Sequence, residues 1–256
     1  MPVTRNIYEI YKNEPLLQEA TRVLRTNIQF ASVDKPIQSI VITSVTPSEG
    51  KTINTIALGI SMAVAGKRTL LVDMDCHRPM LGNKLKIRPK FNLKHILYDN
   101  MAISEVVVPT ILKNLFFLDV EPQMKHLAEV ISSNKFNSMV SKLNSEYDIV
   151  IIDTPPLGMF IEAALLANRA DGTILVLKSG QNDTKEVLDV ISQLEKANAH
   201  ILGVVLNEIR VTPNKNGYYY YNKGEDKHVE SRKKRFGRKN EHSDISKTKG
   251  MIDYVG

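Results

Sequence analysis

Gly50-Lys51-Thr52 stands between an aliphatic run, IVITS (40–44), and a stretch in which Ile53, Ile56, Ile60 and Val64 recur at near-helical spacing before Gly66. A strand that runs through a small-residue loop into a helix is the layout of a phosphate cradle. Backbone N–H groups and the helix N-terminus present positive partial charge to a phosphate. Lys51 can reach the β/γ oxygens and the Thr52 hydroxyl can ligate Mg²⁺. The complete G-x-x-x-x-G-K-[ST] pattern is not met, because Val45 stands at its first glycine. Two acidic stations accompany the loop. LLVDMD (70–75) ends with Asp73 and Asp75, spaced to point the same way, and IVIIDTPP (149–156) carries Asp153. Carboxylates at the carboxyl ends of strands gather around the ligand crevice of an open parallel sheet. Here they suit a magnesium–nucleotide complex, with Thr52, Asp75 and Asp153 as metal candidates.

The elements that must position these groups alternate in kind. Strands are expected at 37–43, 68–73, 111–120, 147–153, 172–178 and 201–207. Helices are expected at 52–67, 91–100, 125–146, 161–169 and 183–198. Continuous aliphatic strands alternating with helices predict an α/β fold, a doubly wound and mainly parallel sheet covered on both faces. From Pro213 onward the periodicity stops. The expected division is an N-terminal helical segment (1–36), a core (37–210) and a flexible tail (211–256). Asn207, closing VVLN, either approaches a nucleotide base or ends the strand in a turn.

Hydrophobic residues make up 43% and charged residues 24% of the 256, as in a soluble globular protein. No apolar run reaches bilayer-spanning length and the first fifteen residues lack an apolar signal core, so a cytoplasmic location is expected. Cys76 is the single cysteine, which excludes an internal disulfide and predicts a small, partly buried side chain. Of the formal net charge of +6, residues 222–256 carry four, with ten Lys/Arg against six Asp/Glu. The densest part, SRKKRFGRK (231–239), is either a solvated tail or a surface for anionic membrane, nucleic acid or phosphate.

Four consecutive tyrosines, Tyr218–Tyr221, precede that tail. A strand would point them to opposite faces and a helix would spread them round its axis, so neither buries them together. Single-stranded nucleic acid stacks on aromatics held apart on a rigid platform, which adjacent phenols are not. Nucleic acid is therefore not expected as a partner.

In this company the sequence resembles the bacterial tyrosine kinases of capsule and exopolysaccharide synthesis, P-loop proteins related to the partition and division-site ATPases. Their S-x-x-P-G-x-G-K-[ST] loop is matched by Ser44-Val-Thr-Pro-Ser-Glu-Gly-Lys-Thr52, with Ser48 in place of glycine. Their D-x-D-x-R motif is matched in part by Asp73-Met-Asp-Cys-His77, with Arg78 one place later. Val150-Ile-Ile-Asp153-Thr-Pro-Pro156 fits their second acidic motif, Glu19-Ala-Thr-Arg22-Val-Leu-Arg25 their E-x-x-R-x-x-R, and Tyr218–Tyr221 their terminal tyrosine cluster.

The resemblance implies ATP and Mg²⁺ as cofactors, bound through Ser44, Thr46, Pro47, Ser48, Glu49, Gly50, Lys51, Thr52, Ile53 and Asn207. It implies catalytic roles for Lys51, Asp73, Asp75 and Asp153, with Asp73 taking the phenolic proton, and phosphorylation of Tyr218, Tyr219, Tyr220 and Tyr221. Glu19, Arg22 and Arg25 lie in one sector of a helix. Spacing alone gives an intrahelical ion pair, whereas the resemblance implies a contact between subunits of a ring. It further implies tyrosine-bearing protein substrates and a separate membrane activator that recruits the chain to the inner face of the membrane. Two other classes fit the same loop. One is an ATP-driven switch, which places an extra lysine at the position of Thr46; the other is a weakly catalytic adaptor.

Overall fold

The computed structural model describes residues 7–32 and 36–209. Within these residues seven strands form one sheet: β1 (Ser39–Ser44), β2 (Thr69–Asp73), β3 (Val108–Pro109), β4 (Leu115–Leu118), β5 (Ile149–Asp153), β6 (Gly172–Lys178) and β7 (Ile201–Asn207). Their order is β3-β4-β2-β5-β1-β6-β7, parallel throughout except for β3, which pairs antiparallel with β4. Among the described residues ten helices surround it: α1 (Ile7–Asn13), α2 (Pro15–Ala31), α3 (Lys51–Val64), α4 (Leu81–Leu85), α5 (Leu93–Leu97), α6 (Ile103–Val106), α7 (Leu127–Ile131), α8 (Asn134–Glu146), α9 (Glu162–Ala167) and α10 (Thr184–Lys196).

The strand pleat divides the core in two. Along β1, Ile40 and Ile42 join an apolar cluster with residues of α1, α2 and α3, while Val41 joins the opposite cluster with residues of α7, α8, α9 and α10. Both faces are covered, so β1, β2 and β5 are buried from end to end. The parallel, doubly wound expectation holds. α2 begins with Pro15, whose missing N–H costs nothing at that position.

Several local expectations differ, and the strand expected over 111–120 is confined to Leu115–Leu118. The segment expected to be one helix over 125–146 is two, because Ser132 closes the first and Ser133 caps the second: the Ser133 Oγ accepts from the Phe136 N–H at 3.2 Å. β3 is a two-residue edge strand containing a proline, too short to leave a periodic signal. Among the described residues no helix is long and apolar enough to cross a membrane.

Candidate active site

The strand order places β1 inside the sheet, next to the central β5 on one side and β6 on the other. The chain leaves β1 at Ser44 and enters α3 at Lys51. Two residues of the intervening loop are left-handed, Ser48 at φ 67° and Gly50 at φ 98°. Gly50 has a second constraint, since a Cβ there would lie 1.9 Å from Asn207 Nδ2. Asn207, at the end of β7, donates that Nδ2 to the Glu49 carbonyl at 2.8 Å. It therefore fastens the edge of the sheet to the loop backbone.

Glu49 turns inward and is fully buried. Its Oε1 accepts from the Thr46 N–H at 2.9 Å and from Asn182 Nδ2 at 2.6 Å, while Gln181 Nε2 donates to Thr46 Oγ1 at 2.9 Å. Gln181 and Asn182 belong to the turn after β6, and no sequence motif marked them. Their role depends on β6 lying beside β1. The Ser44 hydroxyl closes the loop onto the Thr46 carbonyl at 2.7 Å. Pro47 is exposed, and the half-buried Ile53 packs against the α1–α3 side of the core.

Lys51 is only 7% exposed, and among the described residues its hydrogen-bond partner is the Ser44 hydroxyl, 3.1 Å from Nζ. Burial pulls its pKa down, opposed by Asp153, Asp75 and Glu49. Thr52 Oγ1 donates to Asp153 Oδ2 at 2.7 Å and Thr55 Oγ1 to Oδ1 at 3.3 Å. Burial raises the Asp153 carboxyl to about 7, with Asp75 adding to the shift and Thr52 and Lys51 opposing it.

Asp73 is registered beside Asp153 across β2 and β5, and it too is fully buried. Burial, then the nearby Asp153, hold its pKa well above the usual range. Its Oδ1 accepts from the Asp75 N–H at 3.0 Å and its Oδ2 from the N–H groups of Met80 and Leu81 at 3.1 and 3.0 Å. In this arrangement Asp73 anchors the loop that follows β2. Asp75 is partly exposed and accepts from the Arg78 N–H at 2.9 Å. Cys76 is buried and its thiol is pushed up to about 11, mainly by burial. His77, in the place of the arginine, stacks on Phe160 with centroids 3.8 Å apart.

The donor set fits a magnesium nucleotide. A buried ammonium whose partner is a neutral hydroxyl is suited to an anion, and the amides opening the fourteen-residue α3 point at the same place. Thr52, Asp75 and Asp153 are hard oxygen donors and too few for an all-protein cage. That suits Mg²⁺, which keeps waters and takes phosphate oxygens.

On α2, Glu19 and Arg22 form an exposed ion pair of 2.6 Å. Arg25 turns away from them and donates from one guanidinium nitrogen to the Ser61 carbonyl at 2.7 Å and to its hydroxyl at 3.2 Å, in the last turn of α3. The three residues share a sector of sequence, but Arg25 is committed within its own chain. Tyr218–Tyr221 lie outside the described residues.

A family model described as an AAA domain matches residues 37–204. The tyrosine-protein kinase YwqD of Bacillus subtilis (strain 168) is 31% identical over 216 residues, covering 84% of this chain and 91% of the relative. The chain belongs to the bacterial tyrosine kinases. Within that family, the kinase domain of Escherichia coli tyrosine kinase ETK superimposes with a TM-score of 0.71 at 26% identity, covering 78% of this chain and 80% of that one. The septum site-determining protein MinD from Pyrococcus horikoshii OT3, solved with Mg-ADP, shares the fold at a TM-score of 0.57 and 24% identity. That match covers 67% of this chain and 70% of that one.

Proposed function

We propose that this chain is an ATP-dependent protein-tyrosine kinase that phosphorylates its own Tyr218–Tyr221 between subunits and thereby regulates capsular or extracellular polysaccharide synthesis. The observation that carries the reading is the convergence of buried Lys51 with the Thr52–Asp153 pair at the mouth of the phosphate loop, in a chain of this family.

Phosphoryl transfer asks a protein mainly to position groups and to neutralise charge. Lys51 and the loop amides hold the β/γ-phosphates. Thr52, Asp75 and Asp153 would hold Mg²⁺ directly or through its waters, and the ion would supply charge withdrawal from the phosphate oxygens. The tyrosine oxygen bonds to the γ-phosphorus as the bond to the ADP oxygen breaks, and the phenolic proton passes to Asp73. Because both Asp73 oxygens are engaged by backbone N–H groups, that role requires the loop after β2 to shift when the acceptor arrives.

The exposed Glu19–Arg22 pair is offered as part of a ring contact. A tail beside such a contact acts at high effective concentration. Phosphorylation adds about −1.5 to −2 charges per tyrosine, next to carboxylates and ATP, and so releases the tail and loosens the ring. A separate membrane protein, supplying a cytoplasmic segment, is proposed as the activator that brings the chain to the membrane.

The test is incubation with Mg·ATP, alone and with the activator's segment, followed by mass spectrometry of the tail peptide. Phosphate on Tyr218–Tyr221 that disappears in Lys51→Met is expected. ATP turnover with an unmodified tail under both conditions would replace the kinase by a switch.

A further inference from the structure

Between Pro156 and α9 the chain carries none of the motifs and yet is held against the phosphate loop. The Leu157 N–H donates to the Ser44 carbonyl at 2.8 Å. At Gly158 a Cβ would lie 2.4 Å from the Val45 carbonyl oxygen, so a glycine is what lets the two backbones meet. Just past this clamp, Met159 and Ile161 are 59% and 58% exposed. Between them Phe160 stacks under His77, with ring planes 20° apart, and His77 Nε2 lies 3.4 Å from Glu162 Oε1. His77 is two residues from Asp75. An apolar lip with aromatic faces thus stands beside the phosphate loop and the acidic strand ends. Phosphates and Mg²⁺ have no use for it.

We propose that this lip, formed by His77, Met159, Phe160 and Ile161, seats the phenol ring of the acceptor tyrosine, and that its occupant is the Tyr218–Tyr221 run. The inference rests on the kinase reading and adds to it the surface that selects the acceptor. Tyrosine has an apolar body and a polar tip. Its ring suits the stacked rings and the methionine sulfur, while its hydroxyl faces the phosphate site.

Chain length suffices for the run to reach a lip even within one copy. Whether the lip is its own or a neighbour's is read by the isotope-mixing experiment. The described residues end at Ile209, two positions past Asn207, which is hydrogen-bonded to the phosphate loop. From β7 to β5 is three strand spacings, about 15 Å. The nine residues from Ile209 to Tyr218 span up to about 30 Å. Charge agrees as well: Lys215 and Lys223 bracket the tyrosines, and Asp75 and Glu162 border the lip.

The test uses the full chain with a photoreactive benzophenone side chain replacing Tyr219, irradiated in Mg·ADP and mapped by mass spectrometry. Cross-links concentrated on His77 and residues 159–161 are expected; cross-links only elsewhere overturn the proposal. Mixing isotopically light and heavy chains tells whether the ring comes from the same copy or a neighbour. In a second measurement, the exposed double variant Met159→Ser, Ile161→Ser raises KM for a synthetic tail peptide about tenfold while nucleotide affinity is unchanged. An unchanged KM, or an equal loss of nucleotide affinity, also overturns it. Cross-linking needs no phosphoryl transfer, so the two ideas fail separately. Lip cross-links in a chain that never phosphorylates its tail sink the kinase reading, and a phosphorylated tail that cross-links elsewhere sinks the lip.

Discussion

Thr52 Oγ1 donates a 2.7 Å hydrogen bond to Asp153 Oδ2, across 101 positions of sequence. The bond links the first turn of α3 to the end of β5 and holds two candidate metal ligands in contact. Thr52→Ala removes one ligand and the donor that orients the other. Mg²⁺-dependent nucleotide affinity should fall by roughly 10–100-fold, measured by titration calorimetry, with metal-free nucleotide binding much less affected. Equal losses with and without Mg²⁺ would show that Thr52 serves the loop and not the metal.

The pH dependence of stability follows from Asp153. Its carboxyl is raised to about 7 by burial in the metal-free protein, against a value near ~3.9 in an unfolded chain. Between those limits the folded state holds a proton that the unfolded state has released, so stability falls as pH rises. Buried Asp73 shifts in the same direction. The urea midpoint in EDTA should therefore drop between about pH 5 and pH 7, with a shallower slope in Asp153→Asn. Mg²⁺ competes for the same carboxylate, so the stabilisation by Mg·ADP should grow over that range.

The two left-handed residues of the loop, Gly50 and Ser48, should differ in their response to substitution. In Gly50→Ala the new Cβ would meet Asn207 Nδ2 at 1.9 Å in a left-handed backbone. A loss of about 1–3 kcal/mol and of nucleotide binding is expected, read by denaturation and calorimetry. Ser48→Gly relieves a residue at φ 67°. The gain in the folded state is offset by the greater freedom of glycine in the unfolded chain, leaving a change within about 1 kcal/mol and binding intact.

Arg25 and its two motif partners should separate by readout. Arg25→Ala loses the bond to the Ser61 carbonyl and should cost about 1–2 kcal/mol of monomer stability. Reversing the exposed Glu19–Arg22 pair should leave the melting temperature unchanged and alter only the assembly seen on sizing. A fall in melting temperature on reversal would give that pair a structural role within the subunit.

The sequence by itself determined the parts whose signals are local. Aliphatic runs ending in Ser44, Asp73 and Asp153 predicted buried parallel strands, and Gly50-Lys51-Thr52 ahead of a helical repeat predicted the phosphate loop, because periodicity and short motifs depend on neighbours in the chain. Asp73 and Asp153 were legible as strand-end carboxylates, but nothing local said that Asp73 would be sealed under three backbone N–H groups. Only the tertiary structure decided which distant groups complete the loop. Asn182 meets Glu49 across 133 positions, Asn207 meets it across 158, and Arg25 meets Ser61 across 36. Those contacts exist because β6 and β7 lie in order beside β1 and because α2 packs on α3. Strand order is set by how the whole chain buries its two apolar faces, a condition that no single segment carries.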